Sequence, residues 1–205
     1  MPIVTDILEQ KRSKGRFSVY VDDKYAFGLS DLDLSLSRLR VGQAITAAEV
    51  EAFKDAGEER KAYNWAIKYL SYRPRSIWEV VDYLTKKGVG PEISVAVVER
   101  LKAAGLLDDI EFARSWIANR QSLKPSSRRR LEQELMAKRV SREAIEVAME
   151  GHNDGEELQA LIRLIAKKQR LTQYAAVEKL MAYLSRQGYE YELIKKSLER
   201  LNAQN

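Results

Sequence analysis

The chain has 205 residues, of which 45% are hydrophobic and 32% charged, and its formal net charge is +5 at pH 7. It contains no cysteine, which excludes disulfide scaffolds, thiolate zinc sites and thiol catalysis. No apolar run is long enough to span a bilayer, and Asp6 and Glu9 lie where a signal peptide would be basic and then apolar. We therefore expect a cytoplasmic protein that has no membrane partner.

Residues 1–30 alternate between apolar and polar side chains, which is the period of a β-strand. The alternation occurs in three segments, at residues 3–8, 17–21 and 25–29. A turn at residues 22–24, which begins with two aspartates, joins the second segment to the third. We predict three short antiparallel strands.

Helical signals begin after Ser30, where we predict a short helix that residues 41–43 end. Thr46 followed by Glu49 has the spacing of a capping box, which starts a second helix. We expect that helix to end near Asp55, because Gly57 weakens it, and a new helix to start near Glu59. Residues 1–58 are thus predicted to form a small α+β cap.

An internal repeat begins at about residue 60. The second copy lies 51 residues after the first, and a third follows at a further offset of 49. The matching positions are Ala62, Trp65, Pro74, Ser76 and Leu84 in the first copy, Ala113, Trp116, Pro125, Ser127 and Leu135 in the second, and Ile162, Ile165, Ala166 and Leu184 in the third. A period of this length is typical of stacked supersecondary units.

Each repeat is predicted to contain three helices. The middle helix shows an i, i+3, i+4, i+7 apolar stripe, and Gly88 and Gly188 follow it as C′ residues should. We place the repeats at residues 59–107, 108–150 and 156–205, with a flexible joint at 150–155. The predicted fold is therefore mainly α, with three tandem three-helix repeats in an elongated array after the three-stranded cap.

Acidic residues are absent from matching parts of the three repeats. No Asp or Glu lies between Glu59 and Glu79, between Glu111 and Glu132, or between Glu157 and Glu178. If the repeats stack regularly, the cations of these windows recur along one side and form a basic stripe for a polyanion. The candidate binding residues in and beside the windows are Lys68, Arg73, Arg75, Lys86, Lys87, Arg114, Arg120, Lys124, Arg128, Arg129, Arg130, Arg163, Lys167, Lys168 and Arg170. The alternative interpretation is an ordinary solvated helical face.

Catalytic arrangements are scarce in this sequence. His152 is the only histidine and lies in the predicted joint, so it is a poor basis for a catalytic triad or a metal site. Asp108 and Glu111 have the spacing of an N-cap and its capping-box partner, which explains them better than a metal site does. No glycine-rich phosphate loop is present. We predict that the protein is not an enzyme and uses no cofactor or metal.

The tryptophans divide into two groups. Trp65 and Trp116 occupy matching places on the first helices and are predicted to pack in the core. Trp78 lies off the apolar stripe of its helix, so it is predicted to be exposed and available for stacking or for a protein contact.

Three segments of the chain resemble the RecX family of recombinase regulators. The matching residues are Arg75-Ser76 with Glu79, Val80, Tyr83, Leu84, Lys87 and Gly88; Gly105 to Asp109 with Phe112, Ala113 and Trp116; and Glu134-Leu135 with Lys138. Residues 17–29, with Tyr25-Ala26-Phe27-Gly28, resemble the N-terminal extension of one branch of that family. The chain departs from the family pattern at Arg139, where the family favours glycine.

The resemblance implies a non-enzymatic modulator that lies in the groove of the RecA–DNA filament and limits strand exchange, in DNA repair, recombination and the SOS response. The partner would be the RecA filament, with single- or double-stranded DNA as a further partner, and nothing in the sequence calls for self-association, so we expect a monomer. Two alternatives remain open. One is a stand-alone DNA-binding protein whose helix pairs act as tandem helix-turn-helix readers, with Arg128, Arg129 and Arg130 at the start of a reading helix. The other is a protein-interaction scaffold that does not use the basic stripe.

Overall fold

A computed structural model of the chain describes residues 1–11, 13–123, 126–150, 154–171, 174 and 176–202. The strands are β1 Val4–Glu9, β2 Arg16–Val21 and β3 Lys24–Ser30. The helices are α1 Asp31–Ser37, α2 Ala47–Leu70, α3 Ile77–Lys86, α4 Pro91–Ala103, α5 Asp109–Leu123, α6 Arg128–Ala137, α7 Arg142–Met149, α8 Asp154–Gln169, α9 Val177–Arg186 and α10 Tyr191–Asn202. None of these helices combines the length and the apolar character that a membrane span needs.

The three predicted strands are confirmed and form one antiparallel sheet in the order β1-β2-β3. Asp22 and Asp23 connect β2 to β3 with positive φ angles of 47° and 63°. Such angles match the right-handed twist of a two-residue hairpin, and Asp tolerates them better than most residues. One face of the sheet is buried, with Val19 and Phe27 paired across β2 and β3 and packed in a core with Leu39 and Ile45.

The prediction that Gly57 separates two helices is wrong, because α2 runs without a break from Ala47 to Leu70. A glycine inside a helix costs about 1 kcal/mol, which a long helix packed on a sheet tolerates. A Cβ at position 57 would already touch the carbonyl oxygen of Gly28 in β3, at 3.5 Å. This is an ordinary van der Waals distance, so α2 lies directly against the edge of the sheet at Gly57. The capping box at Thr46 and Glu49 is confirmed.

The apolar positions of the repeats are buried as the periodicity predicts. Three buried pairs occupy matching places on the middle helices: Val80 and Leu84 on α3, Leu131 and Leu135 on α6, and Leu180 and Leu184 on α9. In the second repeat they pack with Phe112, Ile117 and Ile145, and in the third with Leu161, Ile165 and Ile194. Each repeat thus buries one stripe of its middle helix.

The chain divides into two compact units. Unit 1 contains Met1–Tyr72 and Val81–Ala103, and unit 2 contains Arg73–Val80 and Ala104–Asn205. The first turn of α3 and the residues before it therefore belong with the second and third repeats.

Residues at the C′ position of the three middle helices share one left-handed backbone conformation. Gly88, Arg139 and Gly188 have φ angles of 81°, 58° and 90°. In each case the next residue donates its amide to a carbonyl five positions back, as in Val140 N to Leu135 O at 3.2 Å. Arg139 therefore keeps the loop shape of the two glycines.

Arg139→Gly is expected to raise the free energy of unfolding by about 1 kcal/mol, since an L-residue in the left-handed region is strained and glycine is not. Urea unfolding followed by circular dichroism measures the change. Arg139→Ala is the matched control: it removes the same side chain but keeps the Cβ, so it should leave stability nearly unchanged. An equal gain in both variants would show that the side chain, and not the backbone strain, is responsible.

Candidate polyanion-binding surface

The first turn of each of the first two middle helices is attached to the following repeat by the same contacts. Ser76 Oγ donates a hydrogen bond to the carbonyl oxygen of Lys138 at 2.9 Å, and Ser127 Oγ donates to that of Gln187 at 3.0 Å. Both serines are buried. The serines match in the repeat, and so do the C-cap residues Lys138 and Gln187 that accept these bonds. A single type of junction therefore holds consecutive repeats together.

A carboxylate from the following repeat caps each of these helix starts. The amide of Ile77 donates to Asp109 Oδ1 at 2.9 Å, and the amide of Arg128 donates to Glu157 Oε1 at 3.0 Å. Helix N-termini leave amides unpaired and carry partial positive charge, so an anionic acceptor stabilises them. The third repeat has Ala176 at the serine position, with no side-chain cap, so the series ends there.

Glu79 joins several cations at the first junction. It accepts hydrogen bonds from Arg73 Nη2 at 2.9 Å, from Lys138 Nζ at 3.0 Å and from the Ser76 amide at 3.2 Å. Burial raises the pKa of this carboxyl, but the bonds from Arg73, Lys138 and Ser76 outweigh burial and lower the pKa to about 2. Arg73, a predicted polyanion-binding residue, therefore also stabilises this junction.

Lysine side chains also lie over the tryptophan rings on the first helix of the first and second repeats. Lys138 Nζ lies 4.5 Å from the centre of the Trp116 ring, and in the first repeat Lys87 Nζ lies 5.7 Å from that of Trp65. Lys87 and Lys138 are matching residues of the repeat, so this cation–π contact recurs. Both tryptophans are half-buried rather than enclosed in the core.

Five of the other candidate cations are paired with carboxylates. Arg120 and Arg130 both bind Glu134, whose side chain is 20% exposed, and Arg130 also reaches Gln187. The pairs of Lys86 with Asp82 and of Arg114 with Glu111 are exposed, and the pair of Arg128 with Glu132 is partly buried. Exposed ion pairs contribute little, so the cations of the two exposed pairs can exchange partners, whereas Arg120 and Arg130 are held in place.

Five candidate cations are exposed and form no ion pair with any residue that the structure describes: Lys68, Arg129, Arg163, Lys167 and Arg170. Three of these belong to one face of one helix. Arg163 and Lys167 lie on α8, and Arg170 follows its last residue, at i, i+4 and i+7 spacing. We call these three residues the α8 basic face.

The remaining candidates divide as follows. Lys168 Nζ lies 4.8 Å from the centre of the Tyr183 ring, and Arg75 is half-buried. Lys124 lies outside the described residues, as do residues 151–153 of the predicted joint, which include His152. Trp78 is 44% exposed, as its place off the apolar stripe predicts, and its part in stacking or in a protein contact stays a prediction. Asp108 caps α5 as predicted, accepting from the Ile110 amide at 2.7 Å.

A groove in unit 2 contains cations that the sequence analysis did not select. It has a volume of about 970 Å³ and is lined by residues of α6, α8 and α10. Its cations include Lys195, Lys196 and Arg200, next to Glu192 and Glu199. Lys196 and Arg200 have the i, i+4 spacing of residues on one helix face, which could have identified them. The search for segments without acidic residues did not select them, because Glu192 and Glu199 lie nearby in the sequence. The groove carries mixed charge and differs in this respect from the α8 basic face.

Family models match the chain in three places. A model described as RecX N-terminal domain matches residues 2–46, one described as the first three-helix domain of RecX matches residues 62–101, and one described as the second three-helix domain matches residues 108–149. The three matched segments coincide with the cap, the first repeat and the second repeat.

Curated relatives carry the name regulatory protein RecX. The protein from Lactobacillus johnsonii is 38% identical over 165 residues, which cover 80% of this chain and 60% of that protein. The protein from Lactobacillus gasseri is 33% identical over 206 residues, which cover 98% of this chain and 76% of that protein. The chain therefore spans less than two thirds of the Lactobacillus johnsonii protein.

Two solved structures share the fold. A crystal structure of regulatory protein RecX superposes with a TM-score of 0.74 at 24% identity and covers 96% of this chain and 100% of that chain. The structure of RecX from Lactobacillus salivarius gives a TM-score of 0.65 at 21% identity, covering 72% of this chain and 99% of that chain.

Proposed function

This chain belongs to the RecX family of regulatory proteins, and from that premise we propose that it binds the RecA–DNA filament and inhibits the recombinase without catalysing a reaction. The RecX resemblance of the sequence supports RecA as the partner. The basic surface of the repeats supports a polyanionic partner. We further propose that the protein acts in the cytoplasm as a monomer, in DNA repair and recombination.

The observation that carries the proposal is the α8 basic face. Its three cations extend over about 10 Å of helix, at a rise of 1.5 Å per residue. They are exposed and form no ion pair with a described residue, so binding a phosphate or an acidic side chain costs them no existing partner. Each phosphate neutralised releases counterions, so inhibition should weaken as salt rises.

Reversing the α8 basic face is expected to raise the concentration of protein needed for half-inhibition of RecA by more than about tenfold. The variant is Arg163→Glu/Lys167→Glu/Arg170→Glu, and the assay follows ATP hydrolysis and strand exchange by RecA on single-stranded DNA with substoichiometric protein. Three contacts of about 0.5–1 kcal/mol each, replaced by repulsion, give an effect of this size.

The matched control is Lys195→Glu/Lys196→Glu/Arg200→Glu on α10, which changes the net charge equally and also lies on exposed residues of unit 2. We expect this control to inhibit nearly as well as the wild type. Equal loss in both variants would mean that net charge alone attracts the protein. Full inhibition by the α8 variant would remove the α8 basic face from the proposal, and failure of the wild-type protein to inhibit would end the proposal itself.

The alternative of a stand-alone DNA reader relies on the arginines at the start of α6. Arg128 is paired with Glu132 and Arg130 with Glu134 and Gln187, which leaves Arg129 as the exposed cation of that turn without an ion pair to a described residue. Base reading needs side chains that extend freely into a groove. Tight and sequence-selective binding of duplex DNA in the absence of RecA would nevertheless favour this alternative.

A further inference from the structure

A pocket in the cap, within unit 1, lies between the edge strand β3 and helix α2. Its volume is about 280 Å³. We call it the cap pocket; it is lined by the aromatic residues Tyr25, Phe27 and Phe53 and by the cations of Arg16, Lys54 and Lys61. Phe27 and Phe53 stack with their ring centres 4.9 Å apart, and Tyr25 is 60% exposed. The pocket therefore combines an apolar floor with a charged rim.

The rim is basic although the cap as a whole is acidic. Residues 1–60 contain nine basic and eleven acidic residues. Among the described residues that line the pocket, the three cations face one carboxylate, that of Glu58. Arg60 does not add to this charge, because its guanidinium is paired with Asp33. The lining of the pocket thus contains more basic than acidic side chains.

The backbone of β3 beside the pocket can also form hydrogen bonds with an added peptide. β3 is an edge strand, paired with β2 on one side only. Edge strands leave every second pair of amide and carbonyl groups without a sheet partner, and extended peptides add to such edges. Where α2 comes closest, at Gly57 against Gly28, there is no room for another strand, so a peptide would lie along the N-terminal half of β3.

We infer that the cap pocket binds a short acidic segment of a partner protein, which inserts one aromatic side chain against Phe27 and Phe53 and places its carboxylates beside Arg16 and Lys61. The pocket volume suits one large side chain, and burial of that side chain supplies most of the affinity. Lys54 is ion-paired with Glu51 at 2.8 Å, whereas Arg16 and Lys61 have no ion pair with a described residue, so these two are the main charged contacts. Lys61 Nζ lies 4.8 Å from the centre of the Trp65 ring, and a peptide carboxylate would have to draw it from there.

An acidic peptide fits this place better than a nucleic acid does. A strand of nucleic acid carries a phosphate at every residue and would meet the carboxylates of Glu58, which lines the pocket, and of Glu51, which pairs with Lys54. A short peptide places its charge only where the cations are. A peptide can also pair with the edge of β3, which a sugar–phosphate backbone cannot do.

The probe is a fluorescein-labelled peptide Asp-Glu-Phe-Glu-Asp, measured by fluorescence anisotropy with the full-length protein at low salt. We expect saturable binding that weakens by roughly tenfold in Arg16→Glu/Lys61→Glu and by roughly tenfold when serine replaces the phenylalanine of the probe. The matched control Lys11→Glu/Lys14→Glu makes the same charge change on exposed cap residues outside the pocket, and it should bind within about twofold of the wild type.

A second variant avoids any change of charge. Ala26→Leu fills the pocket and is expected to weaken peptide binding as strongly as the charge reversals, while circular dichroism shows that the cap remains folded. Absence of binding, or equal effects of the pocket and control variants, would overturn the inference. So would preferential binding of an oligothymidylate that the pocket variants abolish, or a dimer of this chain that Arg16→Glu/Lys61→Glu dissociates.

Discussion

Glu79→Ala lowers the free energy of unfolding by about 3 kcal/mol if the first repeat junction works as the structure indicates. The Glu79 side chain is only 11% exposed, and it holds Arg73, Lys138 and the Ser76 amide together. Its removal leaves the ammonium of Lys138, itself 20% exposed, without that carboxylate partner. Stranding a largely buried charge costs several times what an exposed ion pair contributes.

The same substitution predicts a dependence on pH. The carboxyl has a pKa of about 2 in the folded protein and about 4.5 when unperturbed. A lowered folded-state pKa means that the stabilisation is complete above about pH 4.5 and is lost as the pH falls toward 2. The difference between wild type and Glu79→Ala should therefore shrink steadily over this interval. Urea unfolding at a series of pH values, followed by tryptophan fluorescence, measures it.

Glu111→Ala is the matched control, since Glu111 also pairs with one arginine but is 64% exposed. We expect it to change stability by less than about 0.5 kcal/mol at any pH. The double variant Glu79→Ala/Lys138→Met should recover part of the loss, because it removes the stranded charge together with its partner. A Glu79→Ala protein as stable as the wild type at neutral pH would show that the junction does not depend on this carboxylate.

Gly188→Ala is expected to lower the free energy of unfolding by about 3 kcal/mol, for two separate reasons. The φ angle of Gly188 is 90°, which strains any residue with a Cβ by about 1 kcal/mol. A Cβ there would also lie 2.5 Å from Ser127 Oγ, inside the second repeat junction. Such overpacking typically adds 1–3 kcal/mol. Thermal and urea unfolding both report the loss.

Gly88→Ala separates the two causes. Its φ angle is 81°, but no atom lies within 4 Å of the added Cβ, so it should cost only about 1 kcal/mol. Combining Gly188→Ala with Ser127→Ala should cost less than the sum of the two single changes, since removal of the hydroxyl also removes the clash. Equal losses in Gly88→Ala and Gly188→Ala would contradict the close contact at the junction.

Much of the fold follows from short stretches of sequence. The strands of the cap, the capping box at Thr46 and the buried stripes of α3, α6 and α9 were predicted because the periods of side-chain direction and the caps act within a few residues. The prediction that a helix ends before Gly57 was wrong because it also used only local sequence. A glycine weakens an isolated helix, but the packing of α2 against Gly28, 29 positions earlier in the chain, decides the outcome.

The candidate site was predictable only in part. The acid-free windows include the α8 basic face, yet composition does not distinguish those cations from Arg120 and Arg130, which bind Glu134. Arg73 and Lys87 were predicted from the sequence to bind a polyanion. In the structure Arg73 forms an ion pair with Glu79, and Lys87 lies over the Trp65 ring. Whether a charged side chain is available depends on what lies beside it in space.

By itself, the sequence determined the tripled helical unit and the β-sheet of the cap. The tertiary structure alone decided the junctions between repeats, the pKa of Glu79 and the cap pocket. The physical reason is distance along the chain: Glu79 meets Lys138 and Ser127 meets Gln187 about sixty residues apart. Local periodicity carries no information about such pairs, and only packing brings them together.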